Sequence, residues 1–478
     1  MSRTIQRRLG TRIVIITSVA TLLAPLPTLA RSFAQTLPES AYAVFELPTL
    51  GGNNSYGWKV DESGNVIGSA FLVVNDFHPM LWLDGQEPVD LGTLGGRWGS
   101  ARGINGNGWI VGRAQIEGQI GGNFSAFLWR NGEMFNLGYL GTGDFAEAYG
   151  INDHNQIVGW STLESTSPPP RPAHAFLWED GRMTDLGTFD GGRSSQAIAI
   201  NNSGLIVGQS TSNTYGVWRP VIWRDGEIID VGTFLPDNSR DGVCIGLNEA
   251  GDVVGYTSRD YLTNQAFIYR NGEKAALPEK PYWTNSFAWS INDNRQIVGA
   301  ARTRGWRTQD IGVIWEWNRP VRYLAGLIPP RSDWFFGSAL HINNAGQITG
   351  TGYRLSDPDY TKGYLITPVH PTIILAQPAP GRAGEDNTFT IKRLTPGATV
   401  TLFASRAGGG TAIPDCTLQQ NALQLADAQV VGTAIADQSG VAHITRRIPP
   451  MARNQTILFQ AVVQNECAIS QLVVHRFE

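Results

Sequence analysis

Aromatic and charged side chains recur together in a set of short variable segments. They are Arg97 and Trp98, Asp144 and Phe145, Arg193, Arg240 and Asp241, Tyr282 and Trp283, and Arg331 and Trp334. Aromatic faces stack on sugar rings or peptide planes, and the charged groups beside them bond hydroxyls or amides. The set therefore reads as a ligand-binding surface for an extracellular glycan or protein segment. Asp144 and Asp241, if they met across an opening, would form the carboxylate pair that a glycosidase needs. No catalytic residue is assigned beyond that. The chain has no His-Glu-x-x-His, Gly-x-Ser-x-Gly, nucleotide loop or calcium loop. Its seven His are scattered without metal-ligand spacing, so no metal and no cofactor is expected.

These segments lie between the copies of a repeat. Ile-Asn-x-x-Gly-x-Ile-Val-Gly returns at Ile104-Asn105, Ile151-Asn152, Ile200-Asn201, Leu247-Asn248, Ile291-Asn292 and Ile342-Asn343, after a degenerate copy at Val60-Asp61. The copies are 44 to 51 residues apart. Between them stands an apolar run ending in Trp and then Asp-Gly or Asn-Gly, as in Ala126-Phe127-Leu128-Trp129 and Pro220-Val221-Ile222-Trp223. A third element, Asp-Leu-Gly-Thr-Leu-Gly-Gly, is clearest from Asp90 to Gly96. Asn-x-x-Gly is a tight turn, and Asp-Gly or Asn-Gly is a hairpin signal. Each repeat thus reads as four strands, A to D, which is the content of one propeller blade.

The seventh copy lacks its strand D, because the repeats stop near Pro368. Phe45 to Gly52 fits the missing strand and precedes the first strand A. The expected fold is all-β: a seven-bladed β-propeller over residues 42–368, closed by an N-terminal strand. The A–B and C–D turns are short and uniform, so their face is structural. The D–A and B–C loops vary and share the other face, where function is expected. Three strand A residues stand out. Lys59 and His341 replace Gly, Ala or Ser, and Arg102 replaces Trp, Tyr, Ile or Leu. A wet channel would accept them, but a satisfied structural hydrogen bond is the plainer expectation.

The motifs resemble the bacterial extracellular HAF repeats. The clearest match is His174-Ala175-Phe176-Leu177-Trp178-Glu179-Asp180-Gly181, followed by Asp185-Leu186-Gly187-Thr188. The resemblance spans residues 42–368 and implies a secreted repeat protein. It carries over no catalytic residue.

Composition agrees with a turn-rich β protein. The 478 residues include 55 Gly and 15 Trp, and only 16% are charged. A net charge of -4 without a basic stripe argues against a nucleic-acid partner. Residues 1–34 have the order of a signal peptide: Arg3, Arg7, Arg8 and Arg12, an apolar run from Ile13 to Leu29, and small-residue exits at Ala30 and Ala34. Export to the periplasm or beyond is expected, with no membrane span in the mature chain and a monomeric state. Residues 369–478 alternate like the strands of an Ig-like β-sandwich. Cys416 and Cys467 are expected to pair there, closing a loop of roughly 50 residues worth ~3–4 kcal/mol. Cys244 replaces the Ala of the other strands A and is expected to be a buried filler. The expected function is secreted binding or adhesion through the variable-loop face. A polysaccharide hydrolase or lyase and a structural envelope protein are the alternatives.

Overall fold

The computed structural model describes residues 42–478, apart from 74–75, 84–86, 119–122, 166–170, 215, 236–240, 261, 304–308, 330, 370–372 and 414–421. The expected signal segment, Arg240 and Cys416 lie outside the described residues. The chain is all-β, with three 3-10 turns as the only helical pieces among the described residues.

Seven inner strands carry the repeat. They are Gly51–Val60, Gly95–Ile104, Ala146–Ile151, Gly191–Ile200, Gly242–Leu247, Trp283–Ile291 and Trp334–Ile342. Each begins an antiparallel unit of four strands in chain order. In the fourth unit, for example, Gly191–Ile200 is followed by Ile206–Ser212, Trp218–Arg224 and Glu227–Asp230. The last unit takes its fourth strand from the other end of the repeat region. Tyr42–Glu46 pairs antiparallel with Asp357–Pro368, Tyr42 opposite Pro368 and Glu46 opposite Tyr364.

The Asn of each Ile-Asn turn explains how the units are joined. Its carbonyl oxygen caps its own turn: Asn201 Oδ1 accepts from Ser203 Oγ at 2.7 Å and from the Leu205 N–H at 3.0 Å. Its amide then crosses to the next unit. Asn105 Nδ2 donates to the Asn152 carbonyl at 2.9 Å, Asn152 to Asn201 at 3.1 Å, and Asn201 to Asn248 at 3.1 Å. Asn248 donates to the Asn292 carbonyl at 3.3 Å, Asn292 to Asn343 at 2.9 Å, and Asn343 to Asp61 at 2.8 Å. The last bond carries the chain of contacts from the seventh unit back to the first.

A second belt lies one residue further on. The Gly106 N–H donates to Asp153, Asp153 to Asn202, and Asn202 to Glu249. The Glu249 N–H donates to the Asp293 carboxylate, the Asp293 N–H to the Asn344 side-chain oxygen, and the Asn344 N–H to the Glu62 carboxylate. Both belts lack the link from unit one to unit two for a chemical reason. Asp61 has no amide to donate, and Gly106 has no side chain to accept.

Two other repeat motifs also have a physical role. The Trp that ends the third strand reaches the preceding unit: Trp82 Nε1 donates to the Pro48 carbonyl, Trp223 to Leu186 and Trp315 to Pro278. His174 of the His-Ala-Phe motif meets Asp185 of the Asp-Leu-Gly-Thr motif at 2.8 Å, and Asp185 accepts the Gly187 N–H. The same position pairs His78 with Asp90, Arg219 with Asp230, and Ser125 with Asn136.

The C-terminal region packs two sheets over one core. Ile374–Leu375, Asp386–Lys392 and Ala442–Arg447 form one; Gln429–Ile435, Thr399–Ser405, Thr456–Val463, Ala468–Ile469 and Val473–Arg476 form the other. Phe389, Ile391, Leu402, Phe459 and Phe477 fill the space between them. This region is not a free appendage, because Pro38–Glu478 is one compact unit. A two-stranded ribbon, Gly408–Ala412 with Ala422–Leu425, lies on the Tyr42–Glu46 strand. Gln424 Nε2 donates to the Tyr42 carbonyl, and a Cβ on Gly410 would stand 2.3 Å from the Val44 oxygen. The ribbon covers an edge that would otherwise invite strand pairing. Cys467 is not a free thiol, and its pairing with Cys416 stays a proposal.

The two belts predict a graded loss of stability. Asn201→Ala removes a buried turn cap and a buried inter-unit donor, and should cost about 2–4 kcal/mol in chemical denaturation. Asn202→Ala removes only exposed contacts and should cost below about 1 kcal/mol.

Candidate functional site

The seven inner strands share one irregularity. Each slips register by one residue near its middle, between Gly57 and Lys59, Ala101 and Gly103, Ala148 and Gly150, Ala197 and Ala199, Cys244 and Gly246, Ala288 and Ser290, and Ala339 and His341. A bulge leaves one residue unpaired and re-aims its side chain. Here the bulged residues are Trp58, Arg102, Tyr149, Ile198, Ile245, Trp289 and Leu340. All seven line a single cavity of about 570 Å³. Alanine or Cys244 precedes the bulge in six of the units, fully buried in each; Cys244 is free, and burial pushes its thiol far up.

The cavity has aromatic walls. Tyr56 stacks beside Trp58 with ring centroids 6.3 Å apart, and Phe287 stacks on Trp289 at 5.6 Å. Tyr256 meets Trp289 edge-on at 6.0 Å. Arg102 lies 4.2 Å over the Trp58 ring and 5.9 Å from the Tyr149 ring, a cation–π arrangement. The indole Nε1 atoms of Trp58 and Trp289 are buried and have no partner among the described residues.

Arg102 is held by Glu147, which is 2% exposed. Arg102 Nε donates to Glu147 Oε1 at 2.9 Å, and Arg113 Nη1 donates to Oε2 at 3.2 Å. The Tyr149 hydroxyl donates to the same carboxylate at 3.2 Å. Burial and this neighbouring charge push the Tyr149 phenol up to about 12. Two guanidiniums on one carboxylate leave a positive balance beside the cavity.

Lys59 and His341 form the floor. Together with Ile200 and Leu247 they border both this cavity and a second one, of about 390 Å³, on the turn side. Burial pulls the Lys59 amine down, against the attraction of Asp153, Glu62 and Glu249. Burial and Lys59 hold His341 well below the usual imidazole range, so it is neutral at neutral pH. Its Nδ1 is buried without a partner among the described residues. The expectation of satisfied structural hydrogen bonds at these outliers is met by Arg102 and by His341, which bonds the Val60 backbone, but not by Lys59.

The loop residues read from the sequence divide into several classes. Trp98 and Tyr282 are exposed on the surface, at 43% and 52%. Arg97 pairs with Asp76 at 2.5 Å, and Arg193 is exposed. Phe145 stacks on Trp160 at 4.8 Å, so its ring packs the loop on itself. Trp283 and Trp334 are corrections, being 6% and 4% exposed. Both are the first residues of inner strands rather than loop tips, and their rings fill the space between units. Arg331 is a second correction: its Nη1 donates to the Thr456 carbonyl of the C-terminal region. Asp144 is bound by Arg171, and Asp241 accepts from the Trp218 N–H. Neither of these two carboxylates lines the cavity.

Sequence reasoning missed Trp58, Tyr149, Trp289 and Glu147. A repeat alignment shows the bulged column as merely variable, because one extra residue per strand leaves no mark in composition. Removing the shared carboxylate tests how the Arg102 wall is held. Glu147→Ala strands two guanidiniums and should cost about 3–5 kcal/mol in denaturation.

No family model matches the chain, and no curated protein sequence matches it. Solved structures give distant likenesses only. A fungal alcohol oxidase of the AA5 family, in complex with copper, aligns at TM-score 0.42 and 12% identity, covering 92% of this chain and 99% of its own. The AofleA protein of Arthrobotrys oligospora aligns at 0.34 and 8%, covering 59% and 89%. The Aleuria aurantia lectin, in complex with a fucosylated N-acetylglucosamine, aligns at 0.34 and 11%, covering 58% and 96%. These likenesses are too distant to bear on what this chain binds.

Proposed function

We propose that the chain is a secreted carbohydrate-binding protein, and that its seven units are the blades of a closed β-propeller of the HAF-repeat type. The C-terminal sandwich is an Ig-like module docked on the last blade. The saccharide enters from the variable-loop side and occupies the central cavity.

One observation carries this reading: the bulged residues converge on one cavity. Trp58, Tyr149 and Trp289 supply ring faces for the apolar face of a sugar. The unpartnered indole Nε1–H groups and His341 Nδ1 supply bonds for its hydroxyls. A cavity of about 570 Å³ is the size of a small-ligand site. An extended peptide would instead require a groove. Binding is favoured over hydrolysis because no carboxylate lines the cavity, and Glu147, which stands behind Arg102, is tied to two Arg and a Tyr rather than poised as an acid.

A glycan array followed by titration calorimetry tests the reading with the mature protein. Binding should fall at least tenfold, or about 1.4 kcal/mol, in Trp58→Ala and in Trp289→Ala. Trp98→Ala on the rim should leave it nearly unchanged. Full binding in both cavity variants would overturn the reading.

A further inference from the structure

The two ends of the central channel differ in charge. The turn-side cavity is lined by Asp61, Glu62, Asp153, Glu249 and Asp293. The loop-side cavity is lined by Lys59, Arg102 and His341, and by no carboxylate. Glu147 stands behind Arg102 and is shared with Arg113, so it does not neutralise the cations around it.

Lys59 is the informative residue. It occupies the position held by Gly103, Gly150, Ala199, Gly246, Ser290 and His341 in the other units. Those positions face the next inner strand closely; a Cβ on Gly246 would stand 2.9 Å from the Ser290 Cα. The ring therefore has no packing need for a long side chain there. Lys59 makes no hydrogen bond or ion pair among the described residues, is half-buried, and borders both cavities. A desolvated ammonium without a direct partner gains from a counter-charge brought against it, from either cavity. The carboxylates on the turn side attract Lys59 only through space, and they serve the second belt: Asp153 accepts from the Gly106 N–H, Glu249 from the Asn202 N–H and Glu62 from the Asn344 N–H. A group entering from the loop side reaches Lys59 before it reaches them.

We infer that the cavity is specific for anionic saccharides, the sugar ring stacking on Trp58 and Trp289 while its carboxylate or sulfate pairs with Lys59. This inference rests on the carbohydrate-binding reading and narrows it. His341, neutral beside Lys59, accepts a hydroxyl hydrogen at Nδ1 without adding charge. Arg102, already committed to Glu147, acts as wall and as long-range attraction.

The test is an array carrying neutral, uronic-acid, sialylated and sulfated glycans, probed at low ionic strength with the full mature chain. Lys59→Met and Lys59→Arg are run beside it, each first shown to melt as the parent does. The parent should bind acidic glycans at least tenfold better than neutral ones of the same backbone. Lys59→Met should erase that preference, and Lys59→Arg should restore most of it. Equal binding of neutral and acidic chains, or a preference that survives Lys59→Met, overturns the inference and leaves the carbohydrate reading standing. Binding of free sulfate or glucuronate alone, without any oligosaccharide signal, overturns it too, since the site would then be a bare anion site. No signal on any glycan overturns both readings together.

Discussion

The structure depends on one side-chain amide doing two jobs. In each Ile-Asn turn the Asn oxygen fixes its own hairpin while the nitrogen fastens the next unit. These contacts are buried, so the alternative to making them is an orphaned polar group rather than a hydrated one. Six such bonds run from Asn105 round to Asp61. They set how far apart the seven inner strands stand, and hence the width of the channel between them. The missing seventh bond falls where Asp61 has no amide. At that junction Ser69 Oγ donates to Ser100 Oγ at 2.8 Å, and Phe77 pairs with Trp98 across the parallel strands.

The same spacing turns a scaffold feature into the wall of a cavity. A bulge at one height in every inner strand places seven unpaired residues on one ring. The scaffold tolerates any of them, because the ladder on either side is complete. Aliphatic residues occupy three of the seven places, Ile198, Ile245 and Leu340, while Trp58, Arg102 and Tyr149 in consecutive units, and Trp289 between Ile245 and Leu340, make the rest chemically distinct. Charge is sorted along the axis as well. Acidic groups on the turn side serve the second belt, and cations on the loop side face the cavity.

Much of this architecture was legible from local chemistry. Asn-x-x-Gly and Asp-Gly turns announce themselves, and the segment from Phe45 onward matches the strand missing from the seventh repeat, which Tyr42–Glu46 supplies by pairing with Asp357–Pro368. The His174 and Asp185 motifs were legible as recurring words, though their contact was not. The site was less legible, because what decides it is register. Trp58 and Trp289 read as scaffold tryptophans of strand A, and only a one-residue slip turns them inward. Trp283 and Trp334 read as loop residues, but each opens an inner strand and packs its ring into the core between units. Lys59 and His341 stand out in the repeat alignment, but no alignment shows that Lys59 lacks a direct partner while His341 bonds the Val60 backbone. The docking of the C-terminal ribbon on the Tyr42–Glu46 edge joins segments more than 360 residues apart, and no local signal marks it.

The most direct test of the central claim is a nitrogen-proton spectrum of the tryptophan indoles during titration with an acidic oligosaccharide. The indoles of Trp82, Trp223 and Trp315 already donate to backbone carbonyls of neighbouring segments and should not move. Those of Trp58 and Trp289 have no partner among the described residues and should shift together as ligand fills the cavity. Shifts confined to Trp98 on the rim, with Trp58 and Trp289 unmoved at saturation, would contradict the account.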